Sequence, residues 1–394
     1  MSQRPDPGTT STSPDDGSAT EPQRRRGLRS LPPPVLALLV LAVLVLVLVG
    51  LTRFAPQATS LQQAVAATPA DTQRWSFTDW EAVRERLGVV GTDPADLEAL
   101  LDDGYDADLT SRSGLVEAAT LLDEVYGWSP LTADWEVLAQ GTQGAVEVLR
   151  VPAGPDEDLY PGFADALSAA GYTAPSDPTS GVWAGGDDVV AALESSTGLQ
   201  GAPQLAHVAL LADDDLVLLS DNRAYLEDAV AGIGEGTDDA GVTDALDAVD
   251  AAGTPLSVAL LTGSQACTEL SMAEADPSDE EVGASLIAQA GDLDPLAGWA
   301  MAALDGDGAG DPEAGADVLV AMAFENEDQA TDNATTRATL ASGEAPGQGG
   351  TFPERFSVEE TAVDGDVATL RLDPADGPFL SDLSEGPLLF AACR

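Results

Sequence analysis

Lysine is absent from this chain. All 16 basic residues are arginine, and against 68 acidic side chains they leave a formal charge of −52 over 394 residues. There is one histidine, His207, there are two cysteines, Cys267 and Cys393, and aromatic residues make up only 5%. Each shortage excludes a chemistry. Without lysine there is no P-loop side chain for nucleotide phosphates, no amine for a Schiff base and no Ser-Lys dyad. A single imidazole rules out multi-histidine metal sites. So negative a chain repels nucleic-acid phosphates, and no nucleic-acid partner is expected. What is present suffices for folding: 44% hydrophobic residues can build real cores, and the length allows two domains with appendages.

Residues 1–34 carry no apolar periodicity and read as a disordered cytoplasmic tail. Pro32, Pro33 and Pro34 then lead into an unbroken apolar run from Val35 to Leu51. As a helix this run rises about 26 Å, near the roughly 30 Å hydrocarbon core of a bilayer, and it extends to residue 54. Proline is accepted in a first helical turn, so the triplet marks a start. Arg24, Arg25, Arg26 and Arg29 precede the run and only Arg53 follows closely. The positive-inside rule therefore predicts a single-pass protein of the cell membrane, N-terminus cytoplasmic and C-terminal bulk extracytoplasmic. A cleaved signal peptide is the rival reading, with Ala64-Val65-Ala66 as the small-residue site. That site lies far beyond the run, and the run exceeds the usual core of about 7–15 residues. Neither cysteine is near the segment, which excludes a lipoprotein anchor.

The exported part reads as α+β. Residues 55–72 look like a linker. Residues 73–250 would hold a helical lead-in and a first α+β unit, and 251–394 a second. In the lead-in, Thr78 and Glu81 suggest a capping box, Asp93-Pro94 opens a second helix, and Leu115, Leu121, Leu122 and Val125 mark a third. Antiparallel hairpins follow: Trp135–Ala139 with Ala145–Val151, and Leu205–Ala212 with Leu216–Leu219. Helices are predicted at 161–170 and 223–230, the latter capped by Ser220 or Asp221, with a short strand at 182–184. Later, 298–304 pairs with 317–324, a helix runs through 326–340, and 356–363 pairs with 367–372 across Asp364-Gly365-Asp366. A short helix at 379–383 and a strand at 388–393 finish the chain. Both halves read hairpin–helix–hairpin–helix. A duplicated unit and one continuous α+β domain both fit that order. An even pair of cysteines in an oxidising compartment predicts a Cys267–Cys393 disulfide. It would close a 126-residue span, worth roughly 5 kcal/mol in the chain-entropy description.

Catalytic and metal signals are sparse. His207 lies in an apolar strand, no Gly-x-Ser-x-Gly elbow exists, and Ser264 lacks that spacing, so His207 reads as structural or surface. Gly232, Gly234 and Gly236 follow a helix instead of a strand and read as a linker. Asp305, Asp307 and Asp311 with Gly310 imitate the start of an EF-hand loop. Ala309 and Ala316 stand where ligands should be, so calcium is a weak candidate cofactor. Asp102, Asp103, Asp106 and Asp108 form a second acidic cluster of the same kind. Five of six tryptophans fall between Trp75 and Trp183; they close a core edge or, as the alternative, line a groove for sugars or peptides.

Arg74-Trp-Ser-Phe-Thr-Asp-Trp80, Gly127-Trp-Ser-Pro130 and Asp134-Trp-Glu136 resemble membrane-anchored extracytoplasmic proteins of unknown function from actinobacteria. The resemblance covers residues 30–230. It implies a cell-envelope location and carries no site residues. The expected role is a non-catalytic binding or interaction module that meets an envelope protein or glycan. The alternative is an anchored hydrolase using a carboxylate pair on a cell-wall substrate, and a calcium-stabilised adhesin-like domain is a third.

Overall fold

The computed structural model describes residues 58–154, 159–306, 316–375 and 379–393. The apolar run at 35–54 lies outside them, as do Asp307 and Asp311. No helix among the described residues is long and apolar enough to cross a membrane.

The first element is α1 (Ser60–Ala66), closed by a capping box between Thr59 and Gln62. Leu61, Ala64 and Val65 of this helix are buried, so part of the expected 55–72 linker belongs to the folded body. The chain continues through β1 (Thr72–Thr78), α2 (Trp80–Leu87) and α3 (Pro94–Asp106) to an irregular helical stretch containing α4 (Ala119–Leu121). Next come β2 (Trp135–Gly141), β3 (Ala145–Arg150), α5 (Tyr160–Ala170), β4 (Ser180–Ala184) and α6 (Asp187–Thr197). Then follow β5 (His207–Leu211), β6 (Leu216–Ser220), α7 (Arg223–Ala231) and α8 (Ala240–Ala252). The later part holds β7 (Thr254–Thr262), α9 (Gly263–Glu269), α10 (Pro277–Ala290), β8 (Gly298–Asp305), β9 (Asp317–Ala323) and α11 (Glu327–Leu340). It ends with β10 (Phe356–Asp364), β11 (Val367–Pro374) and α12 (Leu380–Leu383).

The strands form one sheet of eleven in the order β10-β11-β9-β8-β7-β1-β2-β3-β6-β5-β4, and every ladder is antiparallel. The α+β class and the hairpins expected from the sequence are present. The expected boundary at 250 falls inside α8, and the strands on both sides of it join the same sheet. A shared order does occur twice: strand, helices, hairpin, helix, hairpin. β1–β2–β3 followed by β5–β6 matches β7–β8–β9 followed by β10–β11, and the two sets meet where β1 pairs with β7.

Side chains alternate between two buried clusters, one on each face of the sheet. The front face lies under α2–α6 and α9–α12; the back face lies under α1, α7 and α8. At one point the back layer touches the sheet backbone to backbone. A Cβ added at Gly298 would sit 2.0 Å from the Gly241 carbonyl oxygen, so only hydrogen fits between α8 and β8.

Several local expectations need correction. The N-cap of α2 is Asp79, whose carboxylate accepts from Ala82 N at 2.9 Å, not Thr78. Asn222, not Ser220 or Asp221, caps α7. Residues 389–391 form a short 3-10 turn instead of a final strand. That turn is held by Arg337, a fully buried side chain that donates to the carbonyls of Phe390 at 2.7 Å and Ala392 at 3.1 Å. The Cys267–Cys393 disulfide ties the same segment to α9, with Cα atoms 5.1 Å apart.

Replacing Gly298 with Ala is expected to destabilise the fold by about 1–3 kcal/mol, read from the urea midpoint. A midpoint indistinguishable from the parent would show that α8 does not press on β8 as described.

Candidate functional site

Neighbouring strands β2 and β3 each send a glutamate onto the front face. Glu136 pairs in register with Thr78 of β1 on one side and Leu149 of β3 on the other; Glu147 pairs with Leu138. The two carboxylates are thus diagonal neighbours, a spacing of about 7–8 Å at Cα that long side chains bridge. Both are fully buried.

Their surroundings differ. Glu136 accepts from Trp80 Nε1 at 2.9 Å and from Gly114 N at 3.1 Å, with Ser113 also bonded to it. Neither oxygen of Glu147 has a hydrogen-bond partner. Burial is the main force on both, since a low-dielectric interior disfavours the charged form. It pushes Glu136 up to about 7, against the pull of its hydrogen bonds. Glu147 is raised well above the ordinary carboxylate range by burial and, second, by the charge of Glu136. Like charges this close share protons and titrate as a pair. Of the two, Glu147, with no hydrogen bond to its charged form, is the one that burial biases more strongly toward the neutral acid.

The cover over the pair is the turn at 110–114. A Cβ at Gly114 would lie 2.2 Å from Glu147 Oε2, so glycine lets the backbone close down on the acid. Arg112 fastens this turn by donating to Ser384 Oγ at 2.5 Å and Glu385 Oε1 at 2.8 Å. Arg74 reaches Glu385 as well, and Glu269 at 3.3 Å. Burial pushes Glu385 up, but the hydrogen bonds from Arg112 and Arg74 outweigh it and hold its pKa below the ordinary value.

The residues singled out from sequence are dispersed. His207 opens β5, half-buried, and its pKa is lowered by burial and then by the Arg223 charge. Ser264 instead bonds Thr262 Oγ1 at 3.3 Å, so no nucleophile–base pair forms there. Asp305 is ion-paired to Arg86 at 2.7 Å. Among the described residues no three acids, histidines or cysteines converge as a metal site. Asp108 accepts from the backbone N–H groups of Phe379 and Leu380 and so caps the entry to α12, while Asp102, Asp103 and Asp106 are exposed. Trp75, Trp80, Trp128, Trp135 and Trp183 are all at most 2% exposed, which corrects the idea of an aromatic sugar groove. Instead they pack: Trp128 stacks on Tyr126 at 4.8 Å and meets Phe163 edge-on.

A second feature lies on the back face. A groove of about 580 Å³ runs between α8 and the β9–β11–β10 end of the sheet, with Ala248, Leu319 and Val367 at its floor and Asp244, Asp247, Glu360 and Asp364 along it. The glutamate pair lines neither this groove nor the smaller surface hollows beside α1, Arg74 and Asp305.

No family model matches the chain, and no curated protein does. Among solved structures, crystal form I of TP0453 is similar at 6% identity and TM-score 0.35, covering 79% of this chain and 92% of that one. Crystal form III of the same protein gives 5% identity and TM-score 0.34, covering 82% and 96%. Likeness at this level carries no argument here.

The raised pKa of Glu147 has a definite sign. The folded protein holds a proton that the unfolded chain releases above a pKa of about 4.3, so this group's contribution to stability is complete below that pH and fades as pH rises. Glu147→Gln keeps the neutral shape and is expected to stabilise the protein by about 1–3 kcal/mol at pH 8 and little at pH 4, measured by urea unfolding. A variant destabilised equally at both values would contradict the protonated state.

Proposed function

We propose that the chain is a single-pass membrane-anchored protein of the cell envelope whose extracytoplasmic body acts as a non-catalytic interaction module. The sealed position of Glu136 and Glu147 carries the non-catalytic part. Among the described residues they are the most strongly perturbed acids, the usual mark of acid–base chemistry, yet both are fully buried and line neither the groove beside α8 nor the hollows beside α1, Arg74 and Asp305. A general acid must come within about 3 Å of a substrate atom. The hydrolase reading is favoured only by the perturbed pair itself, and it requires the turn at 110–114 to lift away.

The location rests on the apolar run at Val35–Leu51 behind its arginine collar. The disulfide fits an oxidising compartment. Cleavage after Ala66 would remove α1, whose Leu61, Ala64 and Val65 are packed in the core, so retention of the anchor is the reading that suits the fold. An envelope protein is the favoured partner class, because the buried tryptophans leave no stacking platform of their own for a glycan.

Protease added to intact cells should digest the body and spare the N-terminal tail, as followed by epitope tags at both ends. A protected body with a digested tail would reverse the topology and overturn the proposal.

A further inference from the structure

The twofold repetition of the sheet exposes a vacancy. In the first half, the chain leaves β6 and lays α7 across the back face, burying Tyr225, Leu226 and Ala229 in the cluster that contains Ala209, Leu211, Leu216 and Leu218. In the second half, the chain leaves β11 and returns over the front face, where Phe390 packs on Phe352 and Phe356. Apart from the flank of α8, which touches β11, no helix of the described residues covers the back of β10 and β11. The groove of about 580 Å³ occupies that place.

Matching ladder positions show how the surface differs. The hairpin β5–β6 closes with Leu211 opposite Leu216, and Ala209 faces Leu218 two residues on. The hairpin β10–β11 closes with Asp364 opposite Val367, and Ala362 faces Thr369. Ala362 and Val367 thus keep apolar groups there, Thr369 stands where Leu218 is, and one acid, Asp364, takes the place of Leu211. On the other wall, α8 contributes Asp244 and Asp247 beside Ala248. The one arginine in the groove, Arg371, is ion-paired to Asp317 at 3.3 Å.

Resting on the interaction-module reading, we infer that this groove is the docking surface, and that its occupant is a short basic amphipathic helix of a partner protein lying where α7 lies in the other half. A narrow apolar stripe would seat on Ala248, Ala251 and Ala362, which line the groove above the buried Leu319 and Val367, and arginine or lysine on either flank would meet the acidic margins. This is helix-in-groove recognition with charge-assisted contacts at the rim.

The test uses full-length protein in nanodiscs and a fluorescent peptide of about 14 residues, with leucine on one helical stripe and arginine beside it. It should bind at least about tenfold more tightly than a scrambled peptide of the same composition. The triple variant Asp244→Asn, Asp247→Asn, Glu360→Gln should weaken binding about tenfold, whereas Asp102→Asn, Asp103→Asn, Asp106→Asn on α3 should not. Equal binding of the scrambled peptide, or equal loss in both variants, overturns the groove assignment as mere attraction to an acidic protein. In cells, a benzophenone residue placed at Thr369 should form adducts with a protein bearing such a helix. Adducts from exposed Tyr105 but none from Thr369 would defeat the groove and leave the interaction module standing; none from either position would defeat the interaction module itself.

Discussion

Two carboxylates side by side inside a protein cannot both be charged, and that constraint organises the centre of this sheet. Glu136 is met by the neutral donors of Trp80, Gly114 and Ser113, while Glu147 has no partner and is raised by burial and by Glu136. Protons do the neutralising, so water must be kept out. The turn at 110–114 closes over the pair, and Arg112 fastens it to Ser384 and Glu385. The segment that follows is in turn held by Arg337 and by the disulfide. The C-terminal return thus acts as part of the cover over acids near the start of the fold.

That arrangement gives opposite pH responses to two layers of the same cover. Glu385 lies below its ordinary pKa, so its clasp is complete above the unfolded value and loosens as pH falls. Glu147 lies above its ordinary value, so its contribution weakens as pH rises. Between the two shifted values the folded protein keeps Glu385 charged and Glu147 neutral, but the stability each adds is complete on opposite sides of the ordinary carboxylate pKa.

Much of the fold could be read from residue order. Hairpins announce themselves through alternation and turn chemistry, as at Asp364-Gly365-Asp366, and Asp93-Pro94 fixes the start of α3. The two strands at the centre were the difficult ones. β1 carries Trp75 and Phe77 on one face and Ser76 and Thr78 on the other, all buried, so the usual contrast of wet and dry positions is missing and neighbouring helix caps dominate the local pattern. Its pairing with β7 depends on contacts nearly two hundred residues apart, which no local rule contains. α8, with its alanine and aspartate mixture after a glycine-rich turn, reads as a connection until the sheet supplies a surface for Val242, Ala245, Leu246 and Val249.

The site was less legible still. Glu136 and Glu147 stand in strands of alternating polarity, where an acid ordinarily points to solvent; only the front helices turn that face into a core. The acids that did look suggestive have local work: Asp108 caps α12 and Asp305 pairs with Arg86. The most direct measurement is a carbon-13 carboxyl titration of the full-length protein, with Glu136→Gln and Glu147→Gln used to assign the two signals. The account predicts that Glu147 remains protonated through pH 7 while Glu136 titrates near neutrality. Two glutamates ionising together in the ordinary range near 4 to 5 would mean a wet, open site, and the closed module described above would be wrong.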